Sequence, residues 1–228
     1  MRLFYIILII FLILTNGIKA DTETQVLKNL KNGGNLIFIR HAYAPGGGDP
    51  DNFDLNDCST QRNLSETGRE QAKKIGKFFH ENQIPIDKVI SSEWCRCKDT
   101  AQIAFKRFET KDFLNSFFSE KFSKNRTKQI EDLNKYIDRW DSSKNLVLVT
   151  HYVLITEVLN YAPSSGEIVI SDTKFKKIGN IKIEYWNMSS KRAMKQAQKQ
   201  AYARHRSNIT NNRLGKMKRN LQKGKKKN

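Results

Sequence analysis

Three short stretches of the chain are wholly apolar, and each runs into polar or charged residues. LIFI at 36–39 leads into Arg40-His41, Val89-Ile90 into Ser91-Ser92, and LVLV at 146–149 into Thr150-His151. Unbroken runs this short predict strands buried on both faces of a parallel sheet. Between them the apolar spacing becomes helical. Thr67 followed by Glu70 is a capping-box pattern, and Ala72, Ile75 and Phe79 continue it to about His80. Further helices are predicted over 100–108, over 126–140 with Ile130, Leu133, Ile137 and Trp140 on one face, and over 153–159. Segments 167–171 and 181–186 read as closing strands. This alternation predicts an α/β protein, a three-layer α/β/α sandwich around a mostly parallel sheet. With no repeat and no internal linker, one domain is expected over residues 25–186.

The two ends read differently. Arg2 precedes twelve uncharged residues at 3–14, then Thr15-Asn16-Gly17 and Ile18-Lys19-Ala20. A basic start, a short apolar run and a small residue predict a secretory signal peptide over 1–20, and so a periplasmic or secreted protein. The run is shorter than the roughly 20 apolar residues that a membrane span needs. An uncleaved anchor is the alternative. Residues 187–228 have few large apolar side chains and no acids, so a disordered arm is expected there.

Charge follows that division. The chain carries 41 basic and 23 acidic residues, for a net +18. Fourteen of the basic residues lie in 187–228 and two in 1–20, which leaves 25 against 23 in between. The folded part is therefore nearly neutral, and specific nucleic-acid binding by it is not expected. The basic tail has two open readings: an arm for anionic surfaces, or a solvated extension. Oligomeric state has no signal. Three cysteines, Cys58, Cys95 and Cys97, remain after the leader. Export permits a disulfide from Cys58 to Cys95 or Cys97. Cys95 and Cys97 would point to opposite faces of an extended segment. Three unpaired thiols are the alternative, and the spacing is poor for zinc.

Candidate chemistry sits at the strand ends, where open α/β sheets collect ligands. Arg40-His41, Arg96 (reached through Ser91 and Ser92) and His151 would converge on one rim. Two guanidiniums make a bidentate clamp for a phosphoryl dianion. One imidazole can act as nucleophile while its other nitrogen is held by a carbonyl. A second imidazole, kept cationic by the dianion, can stabilise its oxygens. The set calls for neither metal nor cofactor.

At these residues the chain resembles the histidine phosphatase superfamily, the phosphoglycerate-mutase-like fold, over about 34–186. LIFIRHA at 36–42 is similar to the family's Arg-His-Gly strand, and LSETGREQAKKIG at 64–76 to its Leu-Ser/Thr-x-x-Gly-x-x-Gln-Ala helix. VISSEWCRCKDTA at 89–101 resembles its Ser-Ser-x-x-x-Arg segment, and VLVTHYVLI at 147–155 the second His strand end. The resemblance implies that His41 is the phosphorylated nucleophile and that Arg40, Arg96 and His151 complete the phosphate pocket. Together with the leader at 1–20, it implies an exported phosphomonoesterase acting on a small phosphorylated substrate. A non-catalytic phosphate- or envelope-binding protein is the alternative. Ala42 and Tyr152 replace family glycines. Asn115 and Ser116 stand where the family often has a carboxylate proton donor, which leaves Asp54, Asp57 and Glu120 as candidates. Loop 43–64 is the expected specificity element. Gly46, Gly47 and Gly48 would either bring backbone N–H groups near an oxyanion or form only a flexible turn, and Arg62 would either reach the substrate or form a surface salt bridge.

Overall fold

The computed structural model describes residues 24–141 and 143–185. The expected signal peptide at 1–20 and basic tail at 187–228 lie outside the described residues. A helix at 24–32, α1, opens the described part. Then follow β1 (Leu36–Arg40), α2 (Glu66–Glu81), β2 (Ile86–Ser91), α3 (Cys95–Phe105), β3 (Glu109–Thr110), α4 (Glu120–Ser123), α5 (Arg126–Asp138), β4 (Asn145–Thr150), α6 (Tyr152–Leu159), β5 (Ile168–Ser171) and β6 (Lys177–Ile181).

The strands form one sheet in the order β3-β2-β4-β1-β5-β6. β3, β2, β4 and β1 run parallel, while β5 and β6 add an antiparallel edge. All six residues of β4 are buried, which is why its sequence shows no alternation. Its side chains nonetheless divide by face. Val147 and Val149 join Ile37, Ile39, Ile75 and Phe79 in one core, with α1, α2 and α3. Leu146 and Leu148 join Leu36, Phe38, Leu133 and Leu154 in the other, with α5 and α6. A sheet covered on both faces by helices is the predicted three-layer α/β/α sandwich.

Several boundaries differ from the sequence pattern. The cap of α2 is Ser65, whose side chain accepts the Gly68 N–H, so Thr67 lies inside the helix. α3 starts at Cys95, not at 100. Its buried face is built from Cys97, Thr100 and Ala101, residues too small or polar to give an apolar period. Cys95 and Cys97 are therefore in a helical turn and not in an extended segment. That helix ends at Phe105, where Lys106 turns to φ 65°. β6 occupies 177–181, and the predicted strand at 181–186 is absent from the described residues. The Asp172 carboxylate accepts the N–H groups of Lys174 and Lys176, which closes a tight return and brings the chain straight back along β5.

Candidate active site

Backbone bonds set the site before any side chain is placed. At the carboxyl ends of the parallel strands, the His41 N–H donates to Thr150 O at 2.9 Å, and the Ser92 N–H to Val149 O at 2.9 Å. Three strand ends thus leave the sheet in register on one rim. α2 fixes the next turn. Both the N–H and the hydroxyl of Ser65 donate to Tyr43 O, and Gln71 Oε1 accepts the Tyr43 N–H. A Cβ on Gly68 would lie 2.0 Å from Tyr43 O, so only glycine permits this approach. The motif at 64–76 is a clamp on the segment after His41. Thr100 adds a second clamp by accepting the Ala42 N–H and donating to Arg96 O.

The rim opens into a cavity of about 380 Å³ that collects Arg40, His41, Arg62, Arg96 and His151. His41 and His151 are buried, with ring centroids 5.6 Å apart. His41 Nδ1 lies 2.8 Å from Ala42 O. A carbonyl only accepts, so Nδ1 carries the proton and Nε2 keeps its lone pair. Burial first, and the Arg96 charge next, push the His41 imidazole well below its ordinary pKa, against the Ala42 hydrogen bond. The ring is therefore neutral at pH 7, as a nucleophile requires.

His151 is also held neutral, by burial and then by the Arg96 charge. Its Nε2 lies 2.8 Å from Ser92 Oγ. Asn115 Nδ2 donates to Glu93 Oε2, which aims Asn115 Oδ1 at the Glu93 N–H and at Ser92 Oγ. Ser92 therefore donates to Asn115, and His151 donates from Nε2 to Ser92. The residue where a carboxylate was expected orients the second histidine instead.

Arg96 is almost wholly buried. Its Nη1 and Nη2 grip both oxygens of Asp49, at 2.6 and 3.1 Å. Asp49 also accepts the Arg62 N–H and Trp94 Nε1–H. Burial raises its carboxyl, but the Arg96 hydrogen bond and charge outweigh that and hold it below the usual carboxylate range. Arg40 donates to Pro163 O, and its guanidinium lies 5.3 Å from the Tyr152 ring centroid. The Nε–H groups of both Arg40 and Arg96 are buried without an acceptor, a costly arrangement unless an anion arrives.

The glycine loop borders the same cavity through Gly46 and Gly47, with Gly46 at φ +90°, a backbone that glycine adopts without strain. Arg62 forms no surface salt bridge. Its Nε and Nη1 donate to Gly48 O and Ala44 O, so it props the loop while facing the cavity. Asp54, Asp57 and Glu120 do not line the cavity. Asp54 and Asp57 are absorbed in local turns, Asp57 as the cap of a short 3₁₀ turn at Cys58–Thr60. The carboxylates that do line it are Asp49 and the exposed Asp51, both missed from the sequence. A charged residue directly after three glycines in the expected specificity loop was the available signal. Cys58 pairs with Cys95, with Cα atoms 5.7 Å apart. Cys97 is free and buried, its thiol pushed up to about 12 by burial.

Comparison with known proteins identifies the family. Residues 36–148, about half of the chain, match the family model of the histidine phosphatase superfamily (branch 1). The mitochondrial serine/threonine-protein phosphatase Pgam5 of Drosophila mojavensis is 35% identical over 88 residues, which are 39% of this chain and 27% of that protein. Its counterpart in Drosophila grimshawi is 33% identical over the same shares. The chain thus matches about a quarter of the length of these curated relatives. Among solved structures, the protein histidine phosphatase SixA complexed with tungstate has 13% identity and a TM-score of 0.45, covering 63% of this chain and 92% of that one. A putative phosphohistidine phosphatase SixA from Agrobacterium tumefaciens has 20% identity and a TM-score of 0.44, covering 65% and 97%. Four motifs in order, a neutral histidine on a rim of guanidiniums and the family match lead to one assignment: the chain belongs to the histidine phosphatase superfamily.

Proposed function

We propose that the protein is a phosphomonoesterase that works through a phosphohistidine at His41. The observation that carries this reading is the neutral His41 ring, its proton fixed on Nδ1 by Ala42 O and its neighbours cationic. Nε2 attacks phosphorus, and the N–P bond forms as the ester P–O bond breaks, with the electron pair leaving on the ester oxygen. Water then attacks phosphorus, the N–P bond breaks, and orthophosphate leaves with the Nε2 lone pair restored. Arg40 and Arg96 offer N–H donors to the phosphoryl oxygens. His151 takes up a proton against the dianion and adds positive charge beside the phosphoryl group. The work is positioning and charge compensation.

The Arg96 fork already holds Asp49, so a phosphoryl dianion competes with that carboxylate. This favours, as a second reading, a phosphate binder that does not turn over. Hydrolysis of p-nitrophenyl phosphate by the full chain separates the two. Turnover that disappears in His41→Ala supports the enzyme, whereas phosphate binding without turnover supports the binder. Full activity in His41→Ala overturns the mechanism. We also infer export. The leader-like pattern at 1–20 supports it, as does the Cys58–Cys95 bridge, which suits an oxidising compartment. N-terminal sequencing of the protein from its native source tests this, with a start at Asp21 expected.

A further inference from the structure

We infer that the cavity takes small aryl phosphomonoesters, a substrate class that rests on the phosphomonoesterase reading. Beside the cationic rim the cavity wall is aromatic. Phe53 stacks on Trp94 with centroids 5.0 Å apart, and Phe122 stands edge-on to both, at 5.6 and 5.4 Å. Phe118 borders the same cavity and is 71% exposed, a large apolar side chain left in water at the mouth. Tyr152 also lines the cavity, its ring under the Arg40 guanidinium. Trp94 is buried behind its neighbours, so the half-buried Phe53 and Phe122 and the exposed Phe118 are the rings that can meet a further ring by offset or edge contact. Beyond the cationic rim, the polar side chains on the cavity are Ser116, Ser119, Tyr152, Asp51, Lys121 and Trp94, whose indole N–H is already given to Asp49. A polyol leaving group would lose water from several hydroxyls against the Phe53, Phe118 and Phe122 wall, whereas an aryl group has none to lose there. The volume of about 380 Å³ is at the small end for ligand sites, room for a phosphoryl group and one or two rings.

Proton supply leads to the same class. Asn115 is committed to Glu93 and Ser92. Asp49 is gripped by Arg96, and Asp51 is exposed. No buried carboxylic acid is poised to protonate a departing alkoxide among the described residues on the cavity. A phenoxide, whose conjugate acid has a pKa of about 10, leaves without that help. As the P–O bond breaks, the electron pair goes to the phenolic oxygen, which takes its proton from water after departure.

Unreactive phosphonates read the wall without leaving-group chemistry. Calorimetric titration of the full chain with benzylphosphonate and methylphosphonate should show benzylphosphonate binding about tenfold more tightly or better. Phe118→Ser should bring that ratio towards one, and because Phe118 is exposed the fold is not at issue. A ratio near one in the wild type, with methylphosphonate still binding, overturns the aryl class and leaves the phosphatase reading standing. Failure of both phosphonates and of inorganic phosphate to bind overturns that reading itself. Free phosphotyrosine hydrolysed at least as well as the same residue within a peptide supports a small ester. A peptide preferred by tenfold or more overturns the small-molecule assignment.

Discussion

The floor of the cavity and its roof are built by different means. The floor is sheet: β1, β2 and β4 pair in register, and the His41 and Ser92 N–H groups bond to the β4 carbonyls just before His151. The roof is loop 43–64, held by side chains. Arg62 grips two loop carbonyls, Asp49 grips Arg96, Gln61 Oε1 accepts the Cys95 N–H, and Cys58 is bonded to Cys95. A sheet-built floor depends on the fold as a whole. A roof tied by a few side chains fails one tie at a time. Floor residues should therefore set the chemical step, and roof residues substrate affinity and stability.

The largest effect expected is at Arg96, which the first turn of α3 sets beside the floor. Arg96→Lys keeps the charge but loses the planar fork, and kcat/KM should fall by roughly two orders of magnitude or more. A rate near wild type would place Arg96 outside the phosphate site and erase the distinction. Next comes the covalent tie of the roof, Cys58–Cys95. Replacing Cys58 and Cys95 together by serine should destabilise the fold by about 3–4 kcal/mol in the chain-entropy model, seen as a lower Tm. KM should rise more than kcat falls. A collapse of kcat with KM unchanged would show that the bridge shapes the floor as well.

Asp49→Asn loosens the roof and frees the fork at once. Stability without added anion should drop by about 1–3 kcal/mol. Inorganic phosphate should then raise Tm more in the variant than in the wild type, because the anion replaces the missing carboxylate. Equal phosphate shifts would mean that Asp49 and phosphate do not compete. Asp49 has a lowered pKa in the folded state, so its stabilisation is present above the ordinary carboxylate value of about 3.9 and lost as pH falls through the folded value. That acid step should be missing in the variant.

The smallest effect is graded by pH and belongs to the floor. His41 and His151 are held neutral, with folded pKa values well below the ordinary 6.5. Below about pH 6.5 the unfolded chain binds protons that the folded chain refuses, so stability falls as pH drops through that range. Denaturant titrations at pH 7.5, 6.5 and 5.5 check this. A His41→Asn variant should show the shallower slope.

The floor was legible in the sequence because both its parts are local. An unbroken apolar run marks a doubly covered strand, and the residue just beyond it marks the strand's carboxyl end. Arg40, His41 and His151 follow from that reading, and Arg96 from the motif around it. The roof was not legible, since its ties join distant positions whose pairing no periodicity encodes. Asp49 and Arg96 are far apart in the chain, and the choice of Cys95 over Cys97 as the partner of Cys58 depended on where α3 begins. That start was hidden because the buried face of α3 is small and polar. The proton-donor candidates Asp54, Asp57 and Glu120 failed for the same reason, because spacing gives no account of which way a loop carboxylate faces.

The measurement closest to the central claim is a rapid quench of the full chain during turnover of phenyl phosphate, into alkali, where a nitrogen–phosphorus bond survives, followed by peptide mass spectrometry. The account predicts one phosphoryl group, on the peptide that contains His41, absent in His41→Ala. A phosphoryl group on any other residue, or steady turnover with none on His41, would contradict it.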